Sequence, residues 1–377
     1  MPFSPLCAAI SAAQHSRAEA ERLARFERVR ARTAPLTLAQ LRAQFRAVID
    51  KTLGEAGLYA LDHAALALRQ SEGDTYEAVV ILRAFRQTLP RRYTSELIDS
   101  RAMLVQRRIS SAFREIPGGQ ILGPTRDYSQ RLVEASVAQE TPAAIEPFLT
   151  RVDAHLDRTA LKPLRPFGKV TDLLRAEGLL RAATDDEDRR VQDITREPIR
   201  FPAPRSARLQ ALARAETGAI MALAYSGMRG QGGDHPTIGE VRVGYVSVRV
   251  TDARGRTRYL GRIQITEAEN ISKIKVQKKD PVPYLSLGYG LCFGQNETKA
   301  ICMGMLDRGM RIGGDGAPAI SQEFVLYHTE GADAWGAVHS LKMPAHVEFA
   351  SELNLLRAAV ARKHARSAAM AAASSSA

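Results

Sequence analysis

The sequence predicts an α+β protein, with a helical N-terminal half followed by a mixed α/β C-terminal half that carries an antiparallel hairpin. Three observations predict it. Apolar residues recur at helical spacing almost throughout residues 15–135. The period changes to two over Val241–Val250 and again over Tyr259–Thr266, on either side of the turn Asp252-Ala253-Arg254-Gly255-Arg256. Between these regions the helical patches are interrupted by Pro142, Pro147, Pro163, Pro166, Pro198, Pro202 and Pro204.

Taken in order, Thr37 is an N-cap for a helix reaching Glu55, with Leu38, Leu41, Phe45, Val48, Ile49 and Leu53 on one stripe. Asp74, with Glu77 three places on, resembles a capping box. The helix it opens buries Val79, Val80, Leu82, Ala84 and Phe85, and Pro90 stops it. A third helix is predicted over Arg101–Phe113, ending at Pro117-Gly118-Gly119. After a short helix at Ala207–Tyr225 comes the hairpin, with an irregularity expected at Gly244. A helix at Asn296–Met310 is stopped by Gly313-Gly314, and Glu323–His328 reads as a short strand. From about Ala350 an Ala- and Arg-rich helix decays into a tail expected to be disordered. The resulting organisation is a helical region 1–150, a Pro-rich connector 151–205, an α+β catalytic-type region 206–349, and a C-terminal helix and tail 350–377.

Composition narrows the function. Among 377 residues, 53 Lys+Arg against 41 Asp+Glu leave a net charge of +12, which favours phosphate-type ligands or an acidic partner. Aromatic residues make up only 6%, which argues against a base-stacking nucleic-acid surface. Cys7, Cys292 and Cys302 are too scattered for a disulfide framework or a CxxC metal site. No apolar run approaches the roughly 20 residues of a membrane helix. No secretory signal is read in the first residues, and a cytoplasmic location is expected.

Four motifs invite chemistry. The loop from Pro117 to Pro124, with Gly118, Gly119 and Gly123, reads either as a backbone nest for an anionic oxygen or as a corner needing left-handed glycines. The run Tyr225–Pro236 leads into Glu240 and Arg242. There Arg229 and Arg242 supply cations for phosphate or phosphonate oxygens, while Asp234, His235 and Glu240 supply acid–base groups or acceptors for sugar hydroxyls, unless the run is a surface loop. Gly288-Tyr289-Gly290 through Gly294 precedes a helix and reads as an anion site at its N-terminus or as tight packing of glycine faces. His328, His339 and His346 fall close enough together to share a metal, with zinc the natural choice, although each alone reads as an ordinary polar group.

The chain also resembles the PhnI family, the nucleosidase-type subunit of the bacterial carbon-phosphorus lyase core complex. The resemblance rests on Leu66–Gln70, Leu82–Arg86, Arg107–Ser110, the Pro117–Thr125 loop with Asp127-Tyr128, Asp193–Arg196, Ser206–Gln210, Leu223–Ser226, Gly239–Arg242, Gly288–Leu291 and Leu341–Pro344. It implies a subunit that, with other core subunits and especially the radical enzyme, displaces adenine from ATP by an alkylphosphonate to give ribose 1-phosphonate 5-triphosphate. Alone, it implies a purine nucleosidase acting on ATP or GTP with water. The alternative is a scaffold subunit without a competent site. The family's metal site has the pattern His-Leu-Lys-x-Pro-His, and this chain departs from it. Ser340 and Ala345 occupy the two histidine places, with His339 and His346 each one residue outward. The family's Lys-Gly-Gly-Glu opening is replaced by Ala- and Arg-rich sequence, and a basic stretch, Ser272–Lys279, replaces a more neutral one.

Overall fold

Short polar side chains start the first helices as their sequence spacing requires. The computed structural model describes residues 5–128, 132–156, 163–180, 191–229, 235–273, 285–313, 317–343 and 345–375. After α1 (Pro5–Val29) come α2 (Leu38–Gln44) and α3 (Arg46–Ala56), so the helix predicted over 37–55 is broken in two at Phe45. Thr37 caps α2 reciprocally with Gln40: its Oγ1 accepts the Gln40 amide at 3.1 Å, and Gln40 Oε1 accepts the Thr37 amide at 2.8 Å. α4 (Leu61–Gln70) leads to α5 (Thr75–Thr88), where Asp74 Oδ1 accepts the amides of Tyr76 and Glu77 at 2.8 and 3.2 Å. Leu41, Ile49, Leu53, Ala64, Leu68 and Leu82 close these helices on a small apolar core.

The third predicted helix is instead a strand, β1 (Leu104–Ile109), which pairs antiparallel with β2. Pairing explains the change: Met103 and Val105 are buried, Arg107 points to Glu297 at the start of the helix Glu297–Ile312, and Arg108, on the opposite face, finds Glu240 of the neighbouring strand. The chain continues through α6 (Pro142–His155), α7 (Thr171–Ala176), α8 (Arg205–Arg214) and α9 (Thr217–Arg229). The single helix predicted over 207–225 is split because Glu216 turns out of it, its amide donating to Thr329 O at 2.8 Å and its carboxylate accepting the amides that open α9.

β2 (Thr237–Thr251) and β3 (Thr257–Lys273) form the expected hairpin, joined by a turn in which Asp252 accepts the amides of Arg254 and Arg256. With β4 (Leu285–Phe293) they build an antiparallel sheet of order β1-β2-β3-β4. The irregularity expected at Gly244 lies across from it, in β1 between Val105 and Arg107. A Cβ at Gly244 would stand 2.3 Å from Leu104 O, so the glycine admits the bulged partner. α10 (Glu297–Ile312) follows and stops at Gly313, which has φ 63°. α11 (Gln322–His328) replaces the predicted strand: Ser321 caps it, and Val325 and Leu326 join the α10 core. These elements belong to one unit, Met1–Glu330. A second unit, Gly331–Ala377, contains α12 (Gly331–Ser340) and α13 (His346–Ser375). The tail expected to be disordered is helical to Ser375, as an alanine-rich run favours.

The two sheet faces differ. On one, Val241, Ala268 and Cys292 pack on Ala300, Met303 and Leu306 of α10. A Cβ at Gly288 or Gly290 would lie 2.0 Å from a carbonyl oxygen of α10, so these glycines serve close packing. On the other, Met103, Val105, Val246 and Ile265 form one apolar cluster and Leu174, Leu180 and Ile271 another, with charged residues between.

The helical N-terminal bundle is tied to the α/β part by cations on helix C-termini. Arg83 donates to Glu55 O at 2.8 Å and Arg214 O at 2.9 Å, and within the α/β part Lys299 Nζ of α10 donates to Ala215 O, at the end of α8, at 2.8 Å. Glu55 in turn accepts the Thr217 amide at 3.0 Å.

Candidate functional site

Strand alternation places Arg108, Glu240, Arg242, Glu267, Glu269 and Tyr289 on one face of four adjacent strands. The segment 165–172 covers them and adds Lys169 and Thr171. Arg108 donates to Glu240 Oε1 and, at 2.9 Å, to Gly168 O, while Glu240 Oε2 accepts the Val170 amide at 3.1 Å. Arg242 forks onto Glu267 and also reaches Phe167 O and Ser100 O at 3.3 and 3.2 Å. Lys169 Nζ bridges Glu267 and Glu269 at 2.9 Å each. Tyr289 OH and Ser100 Oγ donate to Glu267 at 2.8 and 2.6 Å.

Three cations thus face three carboxylates, all nearly removed from water. Burial alone would raise the Glu267 carboxyl, but the charges of Arg242 and Lys169 and the hydrogen bond from Ser100 bring it down to about 2. Burial works against the Arg242 charge, and Glu267 more than restores it, raising its pKa. The Tyr289 hydroxyl is pushed up by burial and by the neighbouring carboxylate charge, so it stays a donor.

Beside this set, Arg107 joins the glycine loop to α10, donating to Glu297 at 2.7 Å, to Leu122 O and to Asp127. Gly118, Gly119 and Gly123 have φ of 86°, 78° and 58°. A Cβ at Gly118 would meet the Phe167 ring at 2.5 Å, one at Gly123 would meet Gln106 O at 2.6 Å, and the Gly119 amide donates to Ile116 O. These contacts fit the left-handed corner.

The residues read as site residues therefore part company. Glu240 and Arg242 are buried in the ion-pair network. Arg229 ends α9 exposed, its guanidinium 6.0 Å from the Tyr225 ring centroid, and His235 is exposed just before β2. Asp234 lies outside the described residues, as does most of the basic stretch ending at Lys279. His328 belongs to the first unit, where its Nδ1 meets Phe324 O at 2.8 Å and its ring stacks on Phe324. His339 and His346 belong to the second, where His339 stacks on Trp335 at 4.6 Å and His346 opens α13. Among the described residues no group of three or more His, Cys, Asp or Glu is gathered as a metal would need. Sequence reading missed Lys169, Glu267 and Glu269. The available signal was the acidic alternation Glu267-Ala268-Glu269 beside Glu240-Val241-Arg242 on the partner strand.

Among the described residues no helix is long and apolar enough to cross a membrane. Comparison with known proteins bears on the whole chain. It is 45% identical over 331 residues to HtxH of Stutzerimonas stutzeri, covering 86% of this chain and 87% of that one. It is 41% identical over 356 residues to the alpha-D-ribose 1-methylphosphonate 5-triphosphate synthase subunit PhnI of Rhizobium meliloti, covering 93% of each. To the subunit of the same name from Escherichia coli it is 38% identical over 327 residues, covering 85% of this chain and 89% of that one. The family model for PhnI, described as a bacterial phosphonate metabolism protein, matches residues 7–363, and the chain belongs to that family.

Proposed function

We propose that this chain is the subunit of a carbon-phosphorus lyase system that handles the anomeric carbon of ATP. One observation carries the reading: the relatives named as ribose 1-methylphosphonate 5-triphosphate synthase subunits align along nearly the full length of both chains. In the reaction, an oxygen of the phosphonate bonds to C1′ as the bond from C1′ to N9 breaks. Adenine leaves with the electron pair and takes up a proton, and the triphosphate stays on the 5′ oxygen. Water in place of the phosphonate gives the nucleosidase reaction expected of the chain alone.

The chemistry asks for cations at the phosphate and phosphonate oxygens and for a proton donor near the leaving base. Arg229 and His235, exposed on either side of 230–234, are assigned to these tasks together with Asp234. Glu240 and Arg242 are assigned to the framework, because each already faces a buried counter-charge. That same engagement favours the second reading, a scaffold subunit without turnover.

The test is adenine release followed by liquid chromatography, with phosphorus NMR of the sugar product, for the purified chain with and without the other core subunits. Arg229→Ala should raise KM for ATP at least tenfold with an unchanged circular dichroism melt. Nucleotide binding with no adenine release in either preparation would replace the enzyme reading by the scaffold.

A further inference from the structure

The β2–β3 hairpin runs past the strands that flank it. β1 pairs with β2 only as far as Tyr245, and β4 pairs with β3 only as far as Ile265. Beyond them Val246–Thr251 and Thr257–Gln264 pair with each other as a two-stranded arm. Segment 95–96 covers the outer edge on the β2 side, through a Ser95–Val250 bridge and the Glu96 amide donating to Arg249 O at 2.8 Å. The outer edge on the β3 side carries no strand among the described residues.

The two faces of the arm differ in kind. Val246 and Val250 are 2% and 3% exposed, and their burial holds the arm in place, because a hairpin of two strands alone is marginal in water. On the opposite face, pairing sets Arg249 across from Tyr259 and Ser247 across from Arg262. Tyr259 is 57% exposed, and Arg249 and Arg262 are exposed with it. The register shift after Val248 leaves Leu260 without a partner on β2, 60% exposed at the margin of this face.

Charge indicates what the face meets. Residues 246–264 carry Arg249, Arg254, Arg256, Arg258 and Arg262 against Asp252, a net +4. The excess persists in the surroundings. Adding 91–99, with Arg91 and Arg92 against Glu96 and Asp99, leaves +4, and the whole hairpin 237–273 has seven basic residues against four acidic ones, +3. Asp252 is already taken by Arg256 and Arg258 at 3.2 and 2.8 Å, and Glu96 accepts from the hydroxyls of Thr251 and Thr257 at 2.9 and 2.8 Å, feeling Arg249 only at longer range. Charged side chains also guard an open strand edge, but Arg249 lies on the covered side and Arg254 and Arg256 in the turn, so that role accounts for Arg258 and Arg262 alone. Arginines beside an exposed tyrosine and leucine, with no lysine in 246–264, have the make-up of a protein contact, since interfaces enrich Arg and Tyr and deplete Lys.

We propose that this face of the arm, centred on Arg249, Tyr259 and Arg262, docks a carboxylate-rich surface of another subunit of the synthase. The acidic groups meet the two guanidinium groups, and the Tyr259 ring is the apolar anchor between them. The proposal rests on the reading of the chain as a synthase subunit, since it is the relatives' names as subunits that point to a protein partner.

The test uses the full chain co-expressed with the remaining core subunits. Arg249→Glu with Arg262→Glu should weaken co-purification at least about thirtyfold, while the isolated chain melts as wild type because both side chains are exposed. Arg249→Gln with Arg262→Gln drops the charge without reversing it; it should lose less, and its association rate should fall less steeply with salt than that of wild type. Tyr259→Ala should weaken assembly at low and high salt alike. Co-purification of the reversal variant at wild-type yield overturns the proposal. So does a loss of assembly confined to variants that also melt lower, which would make the arginines structural, or a dimer of the isolated chain that the reversal dissociates. Binding of the isolated chain to a single-stranded oligonucleotide, abolished by the reversal while assembly persists, would assign the arm to nucleic acid instead. Assembly is read without turnover, so an intact complex that releases no adenine counts against the enzymatic reading and leaves this surface standing.

Discussion

Replacing Glu267 by Gln removes one charge and little volume from the centre of the buried network. The carboxylate touches Arg242, Lys169, Ser100 and Tyr289, and Gln can still accept from the two hydroxyls. The carboxyl falls from the ordinary 4.5 to about 2 on folding, which corresponds to about 3 kcal/mol of stability near neutral pH. Removing one partner of a buried pair typically costs about 3–5 kcal/mol, in agreement. The sign follows from the direction of the shift. The folded value lies below the unfolded one, so the contribution is complete above pH 4.5 and is lost as the pH falls toward 2. Urea unfolding of wild type and E267Q at several pH values is the assay. At pH 7 the variant should lose about 3 kcal/mol, and the gap should close on acidification below pH 4.5. A second comparison separates the pair from its parts. In Arg242→Met with Glu267→Met, Lys169–Glu269 and Arg108–Glu240 still balance, so the double variant should recover at least half of the single loss. A gap under about 0.5 kcal/mol, or one indifferent to pH, would refute the reasoning.

Two further outcomes follow from packing and burial. Gly290→Ala would place a Cβ 2.0 Å from Ala300 O and 2.9 Å from Met303 Cβ, so α10 has to move off the sheet; a loss of about 1–3 kcal/mol in a thermal melt is expected. Lys299 is buried, and burial lowers its pKa below the ordinary 10.5 despite the raising effect of Glu55. The unfolded chain then binds the proton more readily, so wild-type stability relative to Lys299→Met should rise as the pH approaches 10.5, measured by urea unfolding.

What the sequence revealed was local, and what it hid was long-range. Thr37 and Asp74 are legible as caps because the groups they satisfy lie within three residues. Leu104-Val105 and Ile109 fit either a helix or a strand, and the decision belongs to β2, far along the chain. Phe324–Tyr327 is rich in strand-favouring residues, yet its burial against α10 makes it helical. The hairpin itself was plain, but its register was not. Counting back from Thr251 opposite Thr257 would set Arg242 opposite Thr266, whereas a shift beside Gly261 moves the pairing by one and sets Arg242 opposite Glu267. A one-residue slip exchanges the faces of a strand, so the ion-pair network could not be read from the turn outward.

That register bears on where chemistry can happen. α10 fills one face of the sheet, and the segment 165–172 with its cations and carboxylates fills the other. A nucleotide that entered either face would have to displace packed glycine contacts or strip a buried charge of its partner, each at a cost of several kcal/mol. Under the proposed function, the surface left to a nucleotide includes the end of α9 and the start of β2, where Arg229 and His235 are exposed. The two classes of residue should therefore separate by measurement. Changes at Glu240 or Arg242 should lower stability and activity together, in proportion to the unfolded fraction. Changes at Arg229 should lower activity in a chain that melts like wild type. An Arg242 variant that kept full stability while losing adenine release would return that arginine to the active site.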